Sequence, residues 1–380
     1  MKRNAMRTAP IPIRYLNRTY MTTPDIRAEL RAFKERFDKP LAQYMDEQIE
    51  NVKQSDTETA HALHHAKNIL CGGGKRLRPA LAAWSYVGSG GKSPHDELIT
   101  RAGIYIELIH LYLLIHDDIM DRDDQRHGVP TIHTYYRDRL QPHLPEIAQH
   151  MGESIALIIG DMVNALGSAA LFTAPGDPER IISALRYMQE TIVQTAVGQS
   201  SDMRFAVAPT VSPSDVLRMY RQKTAHYTIA TPLILGSVLA RGDDPEVYRA
   251  IMDVALPLGT AFQIRDDIIG LFGTQEQIGK PVGSDISEGK MTFLLATALE
   301  RATDHQRATI NALRGTDHLT PEEIATFCQV ITDTGARAAA EAYARTCVQE
   351  SLEAIARLPF NSETRARLSA LSDYIVTRIV

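Results

Sequence analysis

This chain lacks most of the features that would assign it to a class at a glance. It carries only three cysteines in 380 residues, Cys71, Cys328 and Cys347. They follow no metal-ligand or redox spacing, which excludes a disulfide frame and points to a reducing compartment. Positive charge is not in excess, since 41 Lys and Arg against 46 Asp and Glu give a formal net charge of −5. Nucleic-acid binders normally present a basic face, so no nucleic acid is expected as a partner. Any anionic substrate must then be attracted locally, by metals and a few basic side chains. The basic N-terminus (Lys2, Arg3, Arg7, Arg14, Arg18) has no apolar core and does not read as a secretory signal. No uninterrupted apolar run reaches the ~18 residues that span a bilayer. The longest, Ile104 to Ile115, is broken by Glu107 and His110. A membrane protein is therefore not expected, and the cytoplasm is the default location. The period-two alternation of strands is missing as well, and no repeat of roughly 20–50 residues is evident.

Helical periodicity fills the space these absences leave. Residues 1–23 mix Pro, Arg and Thr without period and are expected to form a loose N-terminal arm. Residues 24–380 are expected to form a single all-α domain. Thr22-Thr23-Pro24-Asp25 reads as a helix start, with Pro inside the first turn. Ile26, Leu30, Phe33 and Phe37 then share one face. His61 to Leu70 leads into the stop Cys71-Gly72-Gly73-Gly74, and Arg78-Pro79 opens a helix through Val87. Further helices are expected over Glu97 to Met120, Ser154 to Leu171, Pro178 to Thr195, Pro213 to Ala240 and Pro245 to Leu271. The series continues with Met291 to Ala302, Pro321 to Thr334, and Ala336 to Ile379 with a break near Pro359. Pro232 and Pro257 fall inside this set and are candidate kinks.

The helix through Ile104 to Ile115 is apolar nearly all round, as suits the centre of a bundle. Its far end carries His116, Asp117, Asp118 and Asp121. Asp117 and Asp121 are one turn apart and share a face. Carboxylates at the end of a buried helix are poor packing chemistry unless a polar cavity opens there. A second pair, Asp266-Asp267, follows another apolar stretch, with Gly270 where a third carboxylate could stand. Either cluster alone could be a solvated helix end. Two together point to hard divalent cations with oxygen ligands, and such clamps commonly hold a diphosphate. Gly72-Gly73-Gly74-Lys75-Arg76-Leu77-Arg78-Pro79 is a cationic turn before a helix. It reads either as an anion site or as a solvated basic loop, and it lacks the spacing of a P-loop. Arg126-His127-Gly128-Val129-Pro130 follows the first cluster. Lys223-Thr224 and Gln263 precede the second; Lys280 and Lys290 follow it.

As an ordered set these motifs resemble the trans-type isoprenyl diphosphate synthases, also called polyprenyl synthetases. The resemblance runs from about Leu63 to Lys290. It rests on GGGKRLRP, ELIHLYLLIHDDIMDRDDQRHGVPT, Gly160-Asp161, GQSSD from Gly198 to Asp202, KT, FQIRDDIIG and GKPVGSDISEGKMT. It implies an isoprenoid-synthase-type helical bundle around a central cavity, usually a homodimer. It also implies three Mg²⁺ ions per active site, held by Asp117, Asp118, Asp121, Asp266 and Asp267 on the diphosphate of an allylic substrate. By the same resemblance Lys75, Arg78, His110 and, in place of the usual second arginine of the motif, His127 bind isopentenyl diphosphate. Arg126, Lys223 and Lys280 touch the allylic diphosphate, Thr224 and Gln263 lie near the developing carbocation, and Lys290 belongs to a closing loop. The implied reaction joins isopentenyl diphosphate to the allylic diphosphate with a new trans double bond.

Two departures matter. Gly270 leaves the second motif short of a carboxylate. His127 offers a shorter reach than arginine and a charge that titrates near neutrality, unless Arg76 or another cation compensates. In the family, bulk just before the first motif sets the floor of the tail cavity. Tyr112 lies roughly 7–8 Å below Asp117 along the helix axis at ~1.5 Å per residue, with Leu113 one turn below Asp117. Tyr112 is either that floor or ordinary core packing. The favoured product is geranylgeranyl diphosphate (C20), with farnesyl diphosphate (C15) second. A class I terpene cyclase would not need Lys75, Arg78 and His110. A non-catalytic subunit would tend to lose the aspartate motifs, and a di-metal bundle would show Glu and Glu-x-x-His ligands.

Overall fold

The computed structural model describes residues 24–274 and 283–377. The proposed arm at 1–23 and Lys280 lie outside the described residues. The architecture is all-α, as the periodicity predicts. Helix α1 (Ile26–Lys53) starts where the sequence places it, because Asp25 accepts from the N–H groups of Arg27 and Ala28. Asp56 likewise caps α2 (Thr57–Gly72), and α3 spans Leu77–Gly88. The long α4 (Glu97–Asp121) is buried along most of its length. It is followed by a two-residue hairpin, β1 (Gln125–Arg126) paired with β2 (Val129–Pro130), too short to leave an alternating pattern. Next come α5 (Ile132–Leu140), α6 (Ala148–Phe172) and α7 (Pro178–Val207). Helix α5 was not expected; α6 starts before, and α7 ends after, the predicted bounds.

The segment read as one helix over Pro213 to Ala240 is three. Helix α8 (Pro213–Tyr220) passes into a π-helix (Arg221–Ala230) and then α9 (Thr231–Arg241). Pro232 explains the change. It has no N–H to donate, and its ring would clash with the Thr228 carbonyl in an ordinary α-turn. The wider i→i+5 turn ahead of it relieves both problems. Helix α10 (Pro245–Phe272) continues through Pro257. The chain closes with α11 (Ser284–Ser287), α12 (Phe293–Arg301), the unexpected α13 (Asp304–Leu313), α14 (Pro321–Asp333), α15 (Ala336–Arg357) and α16 (Ser362–Thr377).

Helix α4 packs chiefly on α6, α10 on α15 and the π-helix, α3 on α9, and α7 on the π-helix. One correction concerns hydropathy. By length and composition both α4 and α6 are apolar enough to cross a membrane. The few charges in each do not lower the mean as far as the interrupted run suggested. Helix α4 is the more deeply packed, with 61% of its apolar window buried against 39% for α6. That difference leaves an apolar face of α6 uncovered.

The cationic turn before α3 is fixed from below. Arg76 takes φ 53°, and its side chain is 3% exposed. Its guanidinium donates to Asp38 at 2.6 Å, to Glu107 of α4 at 2.7 Å and to the Leu70 carbonyl at 2.7 Å. Arg76 is therefore consumed by the fold and does not compensate for His127. Removing it would strand Glu107, itself 3% exposed, as an unpaired buried charge. Arg76→Ala is expected to cost about 3–5 kcal/mol in chemical denaturation. Adding Glu107→Ala should restore part of that loss, and a neutral Arg76→Ala would show that the triad carries no stability.

Candidate active site

A cavity of about 560 Å³ opens between α3, α4, α7, the π-helix and α10. It brings together Arg78, His110, Tyr112, Leu113, Asp117, Lys223, Thr224, Gln263 and Asp266 from four segments of the sequence. The π-helix accounts for part of this convergence. Lys223, Thr224, Tyr227 and Thr228 all line the cavity, and the wide turn brings positions four and five apart onto one face. Two glycines let neighbouring helices press against this segment. A Cβ on Gly198 of α7 would lie 2.5 Å from the Lys223 backbone nitrogen, and one on Gly259 of α10 would lie 2.5 Å from the Ala225 Cα.

The two aspartate pairs behave alike. In each, the first member faces the cavity and the second turns into the protein. Asp117 and Asp266 line the cavity. Asp118 is 2% exposed, and its Oδ1 accepts from Nε of Arg126 at 2.7 Å and from the same residue's terminal nitrogen. Asp267 is 3% exposed, accepting from the Tyr220 hydroxyl at Oδ2 and from the Gln263 amide at Oδ1, 2.8 Å away. The expected metal-facing oxygens of Asp118 and Asp267 are thus engaged by protein donors at Oδ1 of Asp118 and at both oxygens of Asp267. Burial pushes Asp118 up to about 6, against the pull of Arg126, and pushes Asp267 up to about 7, against Lys290 and Tyr220. Asp121 is half-buried one turn beyond Asp117.

The cations divide into two groups. Arg126 also reaches Asp123 at 3.4 Å. Lys223 lies 2.7 Å from Asp202 of α7 and 3.8 Å from Asp117. Burial works to lower its pKa, but Asp117 and Asp202 outweigh it and the net shift is upward. Lys290 lies 3.9 Å from Asp285, which raises its pKa well above the ordinary value. Among the described residues, by contrast, neither Lys75 nor Arg78 meets a carboxylate. Lys75 is exposed and reaches the Tyr374 hydroxyl at 3.3 Å, and Arg78 contacts His110 at 3.2 Å and Thr228 at 3.0 Å. His110 is held well below its usual pKa by burial and then by Arg78, so it is neutral. Thr224 donates to the Gln263 carbonyl oxygen at 2.8 Å. His127 takes φ 53° in the hairpin turn, and its ring lies over Gly73, where a Cβ would meet it at 2.4 Å.

Sequence reading assigned no role to Asp202, Tyr220 or Asp285. Asp202 and Asp285 sit inside motifs that were visible, GQSSD and GKPVGSDIS. Asp285 also clarifies Gly270. A Cβ there would lie 2.7 Å from the Asp285 carboxylate, so a carboxylate from α11 already stands beside the gap in the second motif. Tyr220 carried no signal, because only the packing of α8 on α10 brings it to Asp267.

Comparison with known proteins identifies the family and the fold. Residues 60–331 match the polyprenyl synthetase family model. The chain is 32% identical over 344 residues to a short-chain isoprenyl diphosphate synthase of Methanocaldococcus jannaschii, covering 90% of this chain and 96% of the relative. It is 34% identical over 266 residues to a geranylgeranyl diphosphate synthase of Sulfolobus acidocaldarius, covering 70% and 74%. The crystal structure of a geranylgeranyl pyrophosphate synthase from Corynebacterium glutamicum, complexed with isoprenyl diphosphate and magnesium, superposes with a TM-score of 0.86 at 31% identity. That match covers 92% of this chain and 99% of the other. The chain belongs to the polyprenyl synthetase family. Within it, the chain is a prenyltransferase of the short-chain trans-prenyl diphosphate synthase type.

Because Lys223 is seated against Gly198, the site is sensitive to one methyl group. Gly198→Ala should displace the π-helix and cut turnover on the order of 100-fold, while circular dichroism still reports a helical protein. Wild-type turnover in this variant would contradict the close approach.

Proposed function

We propose that this chain joins isopentenyl diphosphate to an allylic diphosphate and releases geranylgeranyl diphosphate, with farnesyl diphosphate as the second reading. The division of cations carries the proposal. Arg126, Lys223 and Lys290 stand among carboxylates, whereas Lys75 and Arg78 meet none among the described residues. The first group suits a diphosphate shared with metal ions. The second suits a diphosphate bound directly, because an uncompensated, partly buried guanidinium is costly until an anion arrives.

The donor set fits Mg²⁺. Among the described residues no three His, Cys, Asp or Glu side chains are close enough to enclose a metal. Mg²⁺ is commonly held by one or two carboxylates, with substrate phosphates and water completing the shell. Asp117, Asp121 and Asp266 are the proposed direct ligands for three ions; Asp118 and Asp267 support the helix ends from behind. Bound there, Mg²⁺ would neutralise the leaving diphosphate. Lys223 and Arg126 add positive charge on the same side. Gln263 is oriented by its two hydrogen bonds, and it fixes the Thr224 hydroxyl beside the place where the allylic cation develops. The apolar wall of Leu113, Leu114 and Phe262 keeps water from that cation. Lys280 retains its proposed contact with the allylic diphosphate on the strength of the motif alone.

The C20 product rests on Tyr112. Its half-buried ring lies edge-on to His116 at 4.8 Å on the cavity wall, five residues before Asp117. A working enzyme also needs the exposed apolar face to be covered. Leu157, Ile158 and Phe172 of α6 and Val193, Val197 and Met203 of α7 are all exposed. They support a homodimer through this face, and three free cysteines suit a cytoplasmic location. Purified protein with Mg²⁺, isopentenyl diphosphate and farnesyl diphosphate should yield a C20 product by mass spectrometry. Tyr112→Ala should extend it to C25 or beyond. Absence of any condensation removes the proposed activity, and an unchanged length in the variant removes Tyr112 as the floor.

His127 makes a separate prediction about pH. Partial cover of its ring lowers its pKa, and Arg126 and Arg76 lower it further. The free enzyme therefore holds it neutral at neutral pH. A diphosphate binds the protonated ring better, so affinity should rise as pH falls toward that pKa and be lost as pH rises above it. Between about pH 6 and about pH 8, the KM for isopentenyl diphosphate should climb several-fold more in the wild type than in His127→Arg. The substrate's own titration is common to both. Coincident profiles would remove His127 from the binding site.

A further inference from the structure

Among the described residues Arg78 meets only uncharged groups, and its Nε is buried without a hydrogen-bond partner. One terminal nitrogen contacts Nε2 of His110 at 3.2 Å, and the other donates to the Thr228 hydroxyl at 3.0 Å. Arginine can only donate, so His110 accepts at Nε2 and carries its proton on Nδ1, which has no partner. The central carbon of the guanidinium lies over the ring of Tyr227, 4.6 Å from its centroid, and the same ring packs against His110 at 5.7 Å. Tyr227 is 5% exposed, and its hydroxyl makes no hydrogen bond. A buried tyrosine normally satisfies its hydroxyl, so this residue is placed for its ring.

We propose that Tyr227 is a positioning residue for isopentenyl diphosphate, acting through Arg78. The inference rests on the reading of Arg78 as a diphosphate ligand. A carboxylate could orient the guanidinium as well, but it would cancel the charge and compete with the substrate. An aromatic face attracts the cation while adding no formal charge. With His110 and Thr228 meeting the terminal nitrogens and the Tyr227 ring against the central carbon, the guanidinium is held at three points. Each terminal nitrogen keeps a second N–H for a phosphate oxygen. Tyr227 and Thr228 share the π-helix with Lys223 and Thr224. One irregular segment thus orients groups for both diphosphates.

Steady-state kinetics on the full chain with both substrates test this. Tyr227→Leu should raise the KM for isopentenyl diphosphate about five- to tenfold, with kcat and the allylic KM within about twofold of wild type. Tyr227→Phe keeps the ring and should keep the wild-type KM. Having shed an unpartnered hydroxyl, it should melt no lower than wild type. Tyr227→Met, closer in volume, reads the same loss if the leucine variant does not fold. Arg78→Ala is the control, and the double variant Arg78→Ala/Tyr227→Leu should bind no worse than Arg78→Ala alone. If Arg78→Ala leaves the KM unchanged, the assignment of Arg78 is wrong and the role of Tyr227 falls with it. If Arg78→Ala raises the KM and the leucine and methionine variants do not, the Tyr227 proposal alone is overturned. A phenylalanine variant as impaired as the leucine variant would overturn it too, by assigning the effect to the hydroxyl.

Discussion

Lys223 ties three walls of the cavity together with one ammonium group. Its side chain bridges Asp202 on α7 and Asp117 on α4, while its backbone belongs to the π-helix. The close approach of α7 and α10 to the π-helix needs small residues at the crossings, which Gly198 and Gly259 supply. They also need a reason for the chain to depart from α geometry, which Pro232 supplies. The position of the lysine is therefore set by backbone sterics before any charge acts. The charges then select one arrangement, since moving Lys223 would leave Asp117 and Asp202 facing each other in a half-buried space.

The same logic orders the aspartate pairs. Adjacent residues on a helix point about 100° apart, so a pair at a helix end cannot aim both carboxylates at one cavity. One faces the opening and the other faces the packing, where it must be met by hydrogen bonds. Arg126 meets Asp118; Tyr220 and Gln263 meet Asp267. The two partners differ in kind. Arg126 brings a charge from the hairpin that follows α4, whereas Tyr220 is neutral and itself accepts from the Phe293 N–H at 2.8 Å. Burial raises the pKa of both, against Arg126 at Asp118 and against Lys290 and Tyr220 at Asp267.

How much of this could be read from the sequence depended on distance along the chain. Helix type followed from periodicity, and the α1 start followed from Asp25 and its neighbours. The carboxylate pairs were visible because apolar runs led straight into charge. What stayed hidden involved a partner far away in sequence. Nothing local marks Arg76 as different from Lys75 or Arg78, yet Glu107 and Asp38 draw it into the core while its neighbours meet no carboxylate among the described residues. Asp118 and Asp117 are likewise indistinguishable until Arg126 folds back on one of them. The π-helix hid for a different reason. An apolar pattern of ten residues does not separate a 3.6-residue turn from a wider one, and only the proline after it gave a clue.

A continuous run of hydrogen bonds links the cavity to the far side of α10. It passes from Thr224 to Gln263, to Asp267, to Tyr220, and ends on the backbone of Phe293 at the start of α12. Each bond pairs one donor with one acceptor, so no member of the run can turn without breaking one. That is why the Gln263 amide has a fixed orientation although it stands in a wide, partly open cavity. The opposite side is built differently. There Arg78 is fenced by an aromatic face, a neutral imidazole and a hydroxyl, and its charge is left uncancelled. Under the proposed reaction one diphosphate leaves and the other is kept, and a cavity built for both gains from that contrast. On that reading, groups serving the leaving diphosphate can be charge-balanced before it binds, because metal ions would accompany it. Groups serving the retained diphosphate must supply the positive charge themselves, and only neutral neighbours can hold them in place without spending it.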